Sequence, residues 1–364
     1  MLLARRNLLQ DTTRLALSVI GVALAVLLIL LLQGFLNGMY RQIAAYLQHT
    51  PGAVVVAQED VSNLLGATSL LPPGTVAAAR SRGATVVPIL SQFVILDLHD
   101  KKQPIYLVGY DPASGGGPWQ LTAGHAPLTN YQVVFDRILA NRHGIVLGDT
   151  VEMMDRPFTV VGLSEGTTSW MTSFIFIRKT AAEALWRTPG GSSFLLVTPP
   201  PRMTPEALRD RLTDLPGADA LLKGDMIAND ARLFARFFSA PLQLMIAIAF
   251  LVGTLIVGMV IYTATIERQR EYGVLKAMGA HNSVLYRIVV MQALVVAGVG
   301  VLVGIGLAAG MAQLIMALRP QFLIVLEQSA IGWAVLSGMV MAVAAALVPI
   351  RAIAGLAPAE VFRR

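Results

Sequence analysis

The segment with the most distinctive combination of residue types runs from Thr265 to Ala280. It holds five charged residues, too many for the hydrocarbon core of a membrane, and its composition favours a short helix ending at Gly279. On such a helix four apolar side chains would be exposed to water: Tyr272, Val274, Leu275 and Met278. Exposing them is unfavourable unless a partner covers them. The pattern therefore predicts a docking element, and the alternative is a solvated connector.

Motifs associated with catalysis are missing from the sequence. There is no G-x-x-x-x-G-K-[ST] loop for a nucleotide phosphate and no G-x-S-x-G motif of a serine hydrolase. The chain has no cysteine, which excludes disulfides, thiolate metal sites and cysteine nucleophiles. Its five histidines share no spacing of three or four residues. We therefore expect no catalytic residue, metal site or cofactor in this chain.

A run of glycines between residues 298 and 310 has two possible interpretations. Its spacing superficially resembles a phosphate-binding loop. However, the run lies inside an uncharged segment, where phosphate is unfavourable and helices approach one another through small residues. We therefore predict a helix-packing role for four glycines: Gly300, Gly304, Gly306 and Gly310.

The elements that position these residues follow from the charge distribution. The chain has 364 residues, of which 55% are hydrophobic and 14% charged. Four stretches contain no charged residue: 15–36, 242–264, 288–318 and 331–350. Each is long enough to cross about 30 Å of hydrocarbon at about 1.5 Å per residue. The sequence thus predicts an integral membrane α-helical protein with four transmembrane helices, and it excludes a cytosolic enzyme, a secreted domain and a nucleic-acid binder.

The stretch between the first two spans has ordinary polar composition and predicts a large α+β extracytoplasmic domain. Nine segments have the alternation or short apolar runs of strands: Ala53–Ala57, Thr85–Val87, Phe93–Leu98, Ile105–Tyr110, Gln132–Phe135, Thr150–Met153, Phe158–Leu163, Phe174–Ile177 and Phe194–Val197. Helical patterns occur at Thr180–Trp186 and Thr204–Leu215. A glycine run at 115–118 suggests a division into two lobes.

Basic residues beside the spans predict the orientation. Ten of them lie in the N-terminal segment, the 265–287 loop and the C-terminal tail, whereas the loop at 319–330 has one arginine and one glutamate. By the positive-inside rule both termini and the 265–287 loop are cytoplasmic, and the inserted domain lies outside. Residues 37–240, which include the inserted domain, contain 17 basic and 17 acidic residues, so the net charge of +6 lies on one side. Contact with anionic lipid headgroups accounts for this basicity without nucleic acid.

These observations divide the chain into nine parts. In order, they are an interfacial amphipathic helix (1–14), the first transmembrane helix and stalk (15–50), the extracytoplasmic domain (51–228), a stalk and the second transmembrane helix (229–264), the cytoplasmic loop (265–287), the third transmembrane helix (288–318), an outer loop (319–330), the fourth transmembrane helix (331–350) and a cytoplasmic tail (351–364).

Four sequence features resemble the MacB/FtsX-type, or type VII, ABC transporter permeases. The segment E-R-x-R-E-x-G-x-L-K-A-x-G-A at 267–280 resembles the family's loop after its second span, and 6–21 resembles its first helix. Gly124-His-Ala-Pro, Val133-Val-Phe and Leu147-Gly-Asp-Thr are similar to the MacB-like periplasmic core domain. Residues 348–363 resemble the family's closing P-x-R-A-x-x-x-x-x-P-x-E-x-x-R element. The likeness covers the whole chain.

The resemblance implies a homodimeric permease, DevC-like in lacking its own nucleotide-binding domain. Two copies of a separate ABC ATPase subunit would bind ATP and Mg and drive movements of the outer domain. A periplasmic adaptor or outer-membrane component is a further candidate partner, and the bacterial plasma (inner) membrane is the expected location. Substrates in the family include lipids, lipoproteins, peptides, drugs and haem. The alternatives are an FtsX-like mechanotransmitter that regulates a partner such as a cell-wall hydrolase, and an ATP-independent receptor.

The resemblance and the charge pattern together predict the ATPase-coupling residues: Glu267, Arg268, Arg270, Glu271, Tyr272, Val274, Leu275, Lys276, Met278 and Gly279. Only this loop joins two spans directly on the cytoplasmic side, so a force that the ATPase applies to it would move both spans. We expect Leu275→Asp to break the contact with the ATPase and to leave folding intact. Small residues in the spans, Gly21, Gly34, Gly253 and Gly258 among them, are expected to allow close helix approach in a homodimer.

Overall fold

The computed structural model describes residues 12–98, 101–267 and 269–354. Three predicted features lie at least partly outside these ranges. They are the interfacial helix at 1–14, Arg268 of the predicted ATPase-coupling segment (residues 267–280, called the coupling segment below), and the C-terminal tail.

The described residues fold into two compact units, which are treated separately below. The helical unit comprises 12–38, 238–319 and 324–354, and the α+β unit comprises 39–237 and 320–323. The elements follow in the order α1 (Thr12–His49), β1 (Val54–Gln58), α2 (Thr75–Ser81), β2 (Thr85–Leu98), β3 (Lys101–Tyr110), β4 (Leu121–Gly124), β5 (Gln132–Asp136), α3 (Arg137–His143), β6 (Thr150–Met153), β7 (Arg156–Ser164), β8 (Ser173–Arg178), α4 (Lys179–Trp186), β9 (Phe194–Thr198), α5 (Pro205–Leu212), β10 (Ala218–Leu222), α6 (Lys223–Glu267), α7 (Gln269–Ala277), α8 (Asn282–Leu318) and α9 (Gln328–Ala354).

Four helices are long and apolar enough to cross a membrane: α1, α6, α8 and α9. The four uncharged runs predicted as spans lie in these four helices, in the same order. Each helix also extends beyond its uncharged run, because backbone hydrogen bonding continues where the apolar composition stops. The fold prediction of four apolar helices, with an α+β domain inserted between the first and the second, is confirmed.

The helical unit packs through small and β-branched side chains. Its buried cluster joins the apolar helices, with members such as Val26, Val257, Val289 and Ala342. The four glycines expected to allow close approach of the helices do so within this chain: Gly21 faces Ile256, Gly34 faces Ile324, Gly253 faces Ala25 and Gly258 faces Ala345. A Cβ atom on Gly253 would lie 2.5 Å from the Cβ of Ala25, so this close approach requires glycine.

The α+β unit contains one mixed ten-stranded sheet. Its strand order is β10-β1-β9-β2-β3-β8-β5-β7-β4, and β6 pairs with β7 off this path. Most pairs are antiparallel, but β3 with β8 and β5 with β7 are parallel. We expected a division into two lobes at 115–118, but the sheet does not divide there. The strands before and after that run interleave in the sheet, because β9 and β10 return to pair with β1 and β2.

The structure corrects the predicted strands in two ways. Two predicted strands form one long strand, and strands at the edges of the sheet were not predicted. The segments 85–87 and 93–98, predicted as separate strands, are one strand, β2, which pairs with β9 through Thr85–Ile89 and with β3 through Leu90–Leu98. The two edge strands, β4 and β10, were not predicted; β10 consists of alanine, aspartate and leucine, and the first two have low β-propensity. Pairing with β1 provides the stabilisation that its own sequence lacks.

Both faces of the sheet are covered by helices. Val54 of β1 faces one core together with Leu208 of α5, while Val55 faces the opposite core together with Tyr46 of α1 and Met226 of α6. Such alternation is the period-two pattern of a strand buried on both sides. The last turns of α1 and the first turns of α6 are therefore part of the core of the α+β unit.

Candidate functional site

The coupling segment contains a short helix, as predicted. The long helix α6 ends at Glu267, α7 spans Gln269–Ala277, and α8 begins at Asn282. Thus α7 and two short connections join two of the four apolar helices, and all three helices contribute to the helical unit.

The two faces of α7 differ in exposure. The Tyr272 side chain is 4% exposed and belongs to the buried cluster of the helical unit, and Leu275 packs against the same cluster. Val274 is 41% exposed and Met278 is 71% exposed. Burial therefore assigns Tyr272 and Leu275 to the inner face of this segment, and Val274 and Met278 to its outer face.

This arrangement corrects the expectation that Leu275→Asp leaves folding intact. Leu275 is only half-exposed and contacts a cluster that includes Leu285 and Val289. A carboxylate there would be partly buried among apolar side chains without a partner, which destabilises the unit itself. The sequence alone could not distinguish Leu275 from Met278, because both have helical spacing with other apolar residues.

The charged members of the segment lie mainly at the surface. Glu267, Arg270 and Glu271 are exposed, and Lys276 is half-buried. Exposed charges of both signs contribute little to stability but can orient a partner that approaches. Arg268, the remaining predicted member, lies outside the described residues.

Gly279 ends α7 in the way that the sequence predicts. Its φ is +93°, in the left-handed region. The N–H of Ala280 donates to the carbonyl of Leu275 at 3.0 Å, and the N–H of Gly279 donates to that of Lys276 at 3.0 Å. These two bonds define a Schellman motif, which directs the chain sharply away from the helix axis.

The predicted packing glycines of α8 fall into two pairs. A Cβ atom on Gly300 would lie 2.6 Å from Val22 Cβ, and one on Gly304 would lie 2.8 Å from Ala23 O, so both contact α1. Gly306 and Gly310 have no atom within 4 Å of the Cβ position among the described residues. Gly306 follows Gly304 by two residues, about 200° around the helix, and therefore lies on the opposite face. The packing role within this chain thus applies to Gly300 and Gly304 only.

In the α+β unit, α6 holds a loop that follows β1. The buried carboxylate of Asp230 accepts the backbone N–H of Leu64 at 3.1 Å and that of Leu65 at 3.0 Å. The neighbouring Asn229 donates from Nδ2 to the carbonyl of Ser62 at 2.7 Å. We call the loop of residues 59–70, held in this way, the clamped loop. Any displacement of this part of α6 must carry the clamped loop with it or break these bonds.

The end of α1 is attached to the α+β unit by a second set of contacts. The Tyr46 hydroxyl donates to the carbonyl of Gly116 at 2.7 Å, and its ring stacks on Phe174 with centroids 5.1 Å apart. The Lys223 ammonium donates to the carbonyl of Thr50 at 2.8 Å. This bond joins the last turn of α1 to the start of α6.

Sequence reasoning missed Asp230 as the residue that holds the clamped loop. The available signal was its spacing, because Met226, Asp230 and Phe234 recur every four residues and all three are buried. An aspartate between two inward-facing apolar residues predicts a buried carboxylate that needs donors. The sequence does not reveal which donors are present, because Leu64 and Leu65 lie more than 160 residues away.

Comparisons with known proteins match both units. Residues 15–215 match the MacB-like periplasmic core domain, and residues 244–358 match the FtsX-like permease C-terminal domain. An uncharacterized ABC transporter permease of Mycobacterium tuberculosis (strain H37Rv) is 25% identical over 322 residues, which cover 85% of this chain and 86% of the relative. A second uncharacterized permease of that strain is 24% identical over 306 residues and covers 83% of both chains.

Among solved structures, the periplasmic region of MacB from Actinobacillus actinomycetemcomitans is similar to this chain. It is 16% identical, covers 50% of this chain and 94% of that chain, and has a TM-score of 0.37. The MacB-like domain match alone covers more than half of the chain, and the FtsX-like match covers most of the rest. The chain therefore belongs to the MacB/FtsX-type family of ABC transporter permeases.

Proposed function

We propose that this permease couples ATP hydrolysis by a separate ATPase subunit to movements of the α+β unit that export or extract a hydrophobic or amphipathic substrate. As a member of an ABC permease family, the chain is a transporter membrane subunit and not a catalytic enzyme. The substrate classes that fit are lipids, lipoproteins, peptides, drugs and haem. Two ATPase copies would bind ATP and Mg and would contact α7.

The observation that carries the proposal is the two-faced burial of α7. Tyr272 and Leu275 attach the helix to the buried cluster of the helical unit, while Val274 and Met278 present an apolar outer face beside exposed charges. A partner that covers the outer face would therefore move α7 together with the core behind it. Exposed apolar side chains of this kind are typical of interaction sites.

A mechanical path from α7 into the α+β unit is supported by α6. This helix is continuous from Lys223 to Glu267, so one element carries both the end beside α7 and Asp230 at the clamped loop. Under the proposal, ATP-driven displacement at the α7 end is transmitted along α6 to the clamped loop.

The proposal includes a location and further partners. The permease would lie in a bacterial plasma membrane, with both termini and α7 cytoplasmic and the α+β unit outside. It would act as a homodimer in contact with membrane lipids, with a periplasmic adaptor or outer-membrane component as a further partner. The open face of α8 at Gly306 and Gly310 supports a second copy of the chain as the neighbour there.

The coupling role is tested by Met278→Asp in the purified permease reconstituted with the ABC ATPase encoded beside it. Because Met278 is 71% exposed, the substitution spares the core, and we expect loss of co-purification and at least a tenfold loss of permease-stimulated ATPase rate. The matched control is Leu128→Asp, which places the same charge on an exposed leucine of the α+β unit. Normal binding and stimulation by Met278→Asp would show that α7 is only a connector.

Export and mechanotransmission differ in the partner outside. Gene neighbourhood provides the first discrimination, because an adaptor or outer-membrane gene beside the ATPase gene favours export and a cell-wall hydrolase gene favours regulation. The biochemical discrimination is ATP-dependent release of a fluorescent amphipath from proteoliposomes that contain the permease and its ATPase. Stimulated ATP hydrolysis without such release, together with ATP-dependent activation of an adjacent hydrolase, would reject export.

A further inference from the structure

A small cleft in the α+β unit lies between the clamped loop and α6. Its volume is about 160 Å³, below the range of about 300–1,000 Å³ for small-molecule sites, so it has room for one small chemical group and not for a whole ligand. The clamped loop contributes Ser62 and Asn63 to one wall, and α6 contributes Arg232 and Arg236 to the other. The cleft therefore belongs to the junction at which α6 holds the clamped loop.

The lining of this cleft is cationic. Arg232 and Arg236 are exposed, and among the described residues that line the cleft none is acidic. Neither guanidinium group forms an ion pair with a described residue. Residues 37–240 contain equal numbers of basic and acidic residues, so these two arginines are a local excess of positive charge. The two like charges repel each other one helical turn apart, and an anion between them would relieve this repulsion.

One of the two guanidinium groups is held in place by hydrogen bonds. Asn229 Oδ1 accepts from Arg232 Nη2, and Asn229 Nδ2 donates to the carbonyl of Ser62 at 2.7 Å. These bonds fix Arg232 beside the clamped loop, which reduces the entropy that its side chain loses when it binds an anion. Arg236 lies one turn further along α6 and has no hydrogen-bond partner among the described residues, so its N–H donors remain available.

We infer that this cleft binds a phosphate group, with Arg232 and Arg236 donating to its oxygens from two directions. The phosphate of a lipid headgroup and free inorganic phosphate share this chemistry. A tetrahedral phosphate has oxygens that point towards both arginines, whereas a planar carboxylate is satisfied by the fork of a single guanidinium. The small volume of the cleft fits a phosphate group and is too small for a whole amphipathic substrate.

As part of transport this site rests on the proposed function, but phosphate binding itself does not. Arg236 precedes the uncharged stretch 242–264 of α6 by six residues, so under the proposed orientation the cleft lies outside, close to the lipid headgroups. The site would narrow the proposed substrate classes to molecules that carry a phosphate. Because α6 forms one wall of the cleft, displacement of this helix would act directly on the bound phosphate.

The test measures binding to the full chain purified in dodecyl maltoside, an uncharged detergent. Native mass spectrometry compares dioleoylphosphatidylglycerol with oleate, an anion without phosphate, and with dioleoylglycerol, which has no charge. Equilibrium dialysis with radiolabelled orthophosphate measures the binding of free phosphate. We expect a phosphate-bearing ligand to bind at least about tenfold more tightly than the two lipids that lack phosphate.

Competition between the two phosphate-bearing ligands identifies the source of the phosphate. Bound phosphatidylglycerol that resists a large excess of orthophosphate indicates a lipid headgroup. Orthophosphate that binds and displaces the lipid, or that binds when the lipid does not, indicates free phosphate. Failure of both ligands to bind, or equal binding of phosphatidylglycerol and oleate without orthophosphate binding, would overturn the inference.

Two pairs of substitutions assign the binding to the cleft. Arg232→Gln combined with Arg236→Gln should weaken phosphate binding at least about tenfold. Arg142→Gln combined with Arg156→Gln is the matched control and should bind like the parent, because it removes the same charge from two exposed arginines outside the cleft. All four side chains are exposed, so both variants should unfold at the parent temperature. Parent-like binding by the cleft variant, or an equal loss in both variants, would contradict the assignment. No ATPase is present in this assay, so a failure of the Met278→Asp test leaves its outcome unchanged.

Discussion

At the scale of single residues, backbone conformation and burial decide the properties of the coupling segment. Tyr272 of α7 and Met278, which directly follows α7, are both apolar, yet one is buried in the helical unit and the other is exposed. Gly279 contributes through its φ alone, because nothing lies within 4 Å of the position that its Cβ would occupy. Its role can therefore be tested without steric interference.

We predict that Gly279→Val destabilises the turn after α7. A side chain in the left-handed region costs about 1–2 kcal/mol, so amide hydrogen exchange in residues 272–282 should be about 5- to 30-fold faster. Hydrogen-exchange mass spectrometry of the purified permease measures this. Gly279→Asn is the control and should show a smaller effect, because asparagine tolerates this conformation. Parent-like exchange in the valine variant would mean that the Schellman turn does not limit local opening.

At the scale of elements, the two faces of α8 have different surroundings. Gly300 and Gly304 bring its backbone against α1, and the buried cluster continues through Ala293 and Ala297. Leu302 and Gly306 lie on the other side and are exposed in the single chain. Small residues on the first face allow close packing, whereas those on the second face leave a shallow surface open.

We predict that Gly304→Leu lowers the stability of the helical unit and that Gly306→Leu leaves it unchanged. At Gly304 the new side chain meets Ala23 O and Val26 Cβ, each 2.8 Å from the Cβ position, and overpacking of this kind costs about 1–3 kcal/mol. At Gly306 it meets open space, so the monomer should unfold at the parent temperature. The unfolding temperatures of the two variants are compared by heating the detergent-purified monomer and monitoring its tryptophan fluorescence. An equal loss of stability in both variants would contradict the assigned faces.

At the scale of the whole molecule, the charge distribution and the four apolar helices predict how the chain is oriented in the membrane. The basic residues of the 265–287 loop belong to the helical unit, while the electrically balanced α+β unit follows the first apolar helix. Under the positive-inside rule we expect the 265–287 loop and the α+β unit to lie on opposite sides of the membrane. The sequence has no cysteine, so single reporter cysteines can be introduced without removing others.

We predict that a membrane-impermeant maleimide labels Leu128→Cys in intact spheroplasts and labels Met278→Cys only after permeabilisation. Both parent residues are exposed, at 66% and 71%, so access to the reagent depends on the side of the membrane and not on burial. Gel-shift labelling of the two variants, with the cysteine-free parent as the blank, measures this. Labelling of Met278→Cys in intact spheroplasts would reverse the proposed topology.

The sequence by itself determined the elements whose signals are local. Long uncharged runs define four apolar helices wherever they lie in the fold, and the charged helix ending at Gly279 follows from composition and one glycine. The α+β class of the inserted domain follows from period-two segments mixed with helical ones. The family resemblance also followed from linear motifs, and the matches to both of its domains confirm it.

Only the tertiary structure decided which residues face each other. The inner and outer faces of α7, the difference between Gly304 and Gly306, and the clamp of Asp230 on Leu64 all depend on atoms far away in sequence. The same holds for β10, whose weak propensity is overcome by pairing with β1. Periodicity predicts that a helix or strand exists, but burial and hydrogen-bond satisfaction are properties of neighbours that come together only when the chain folds.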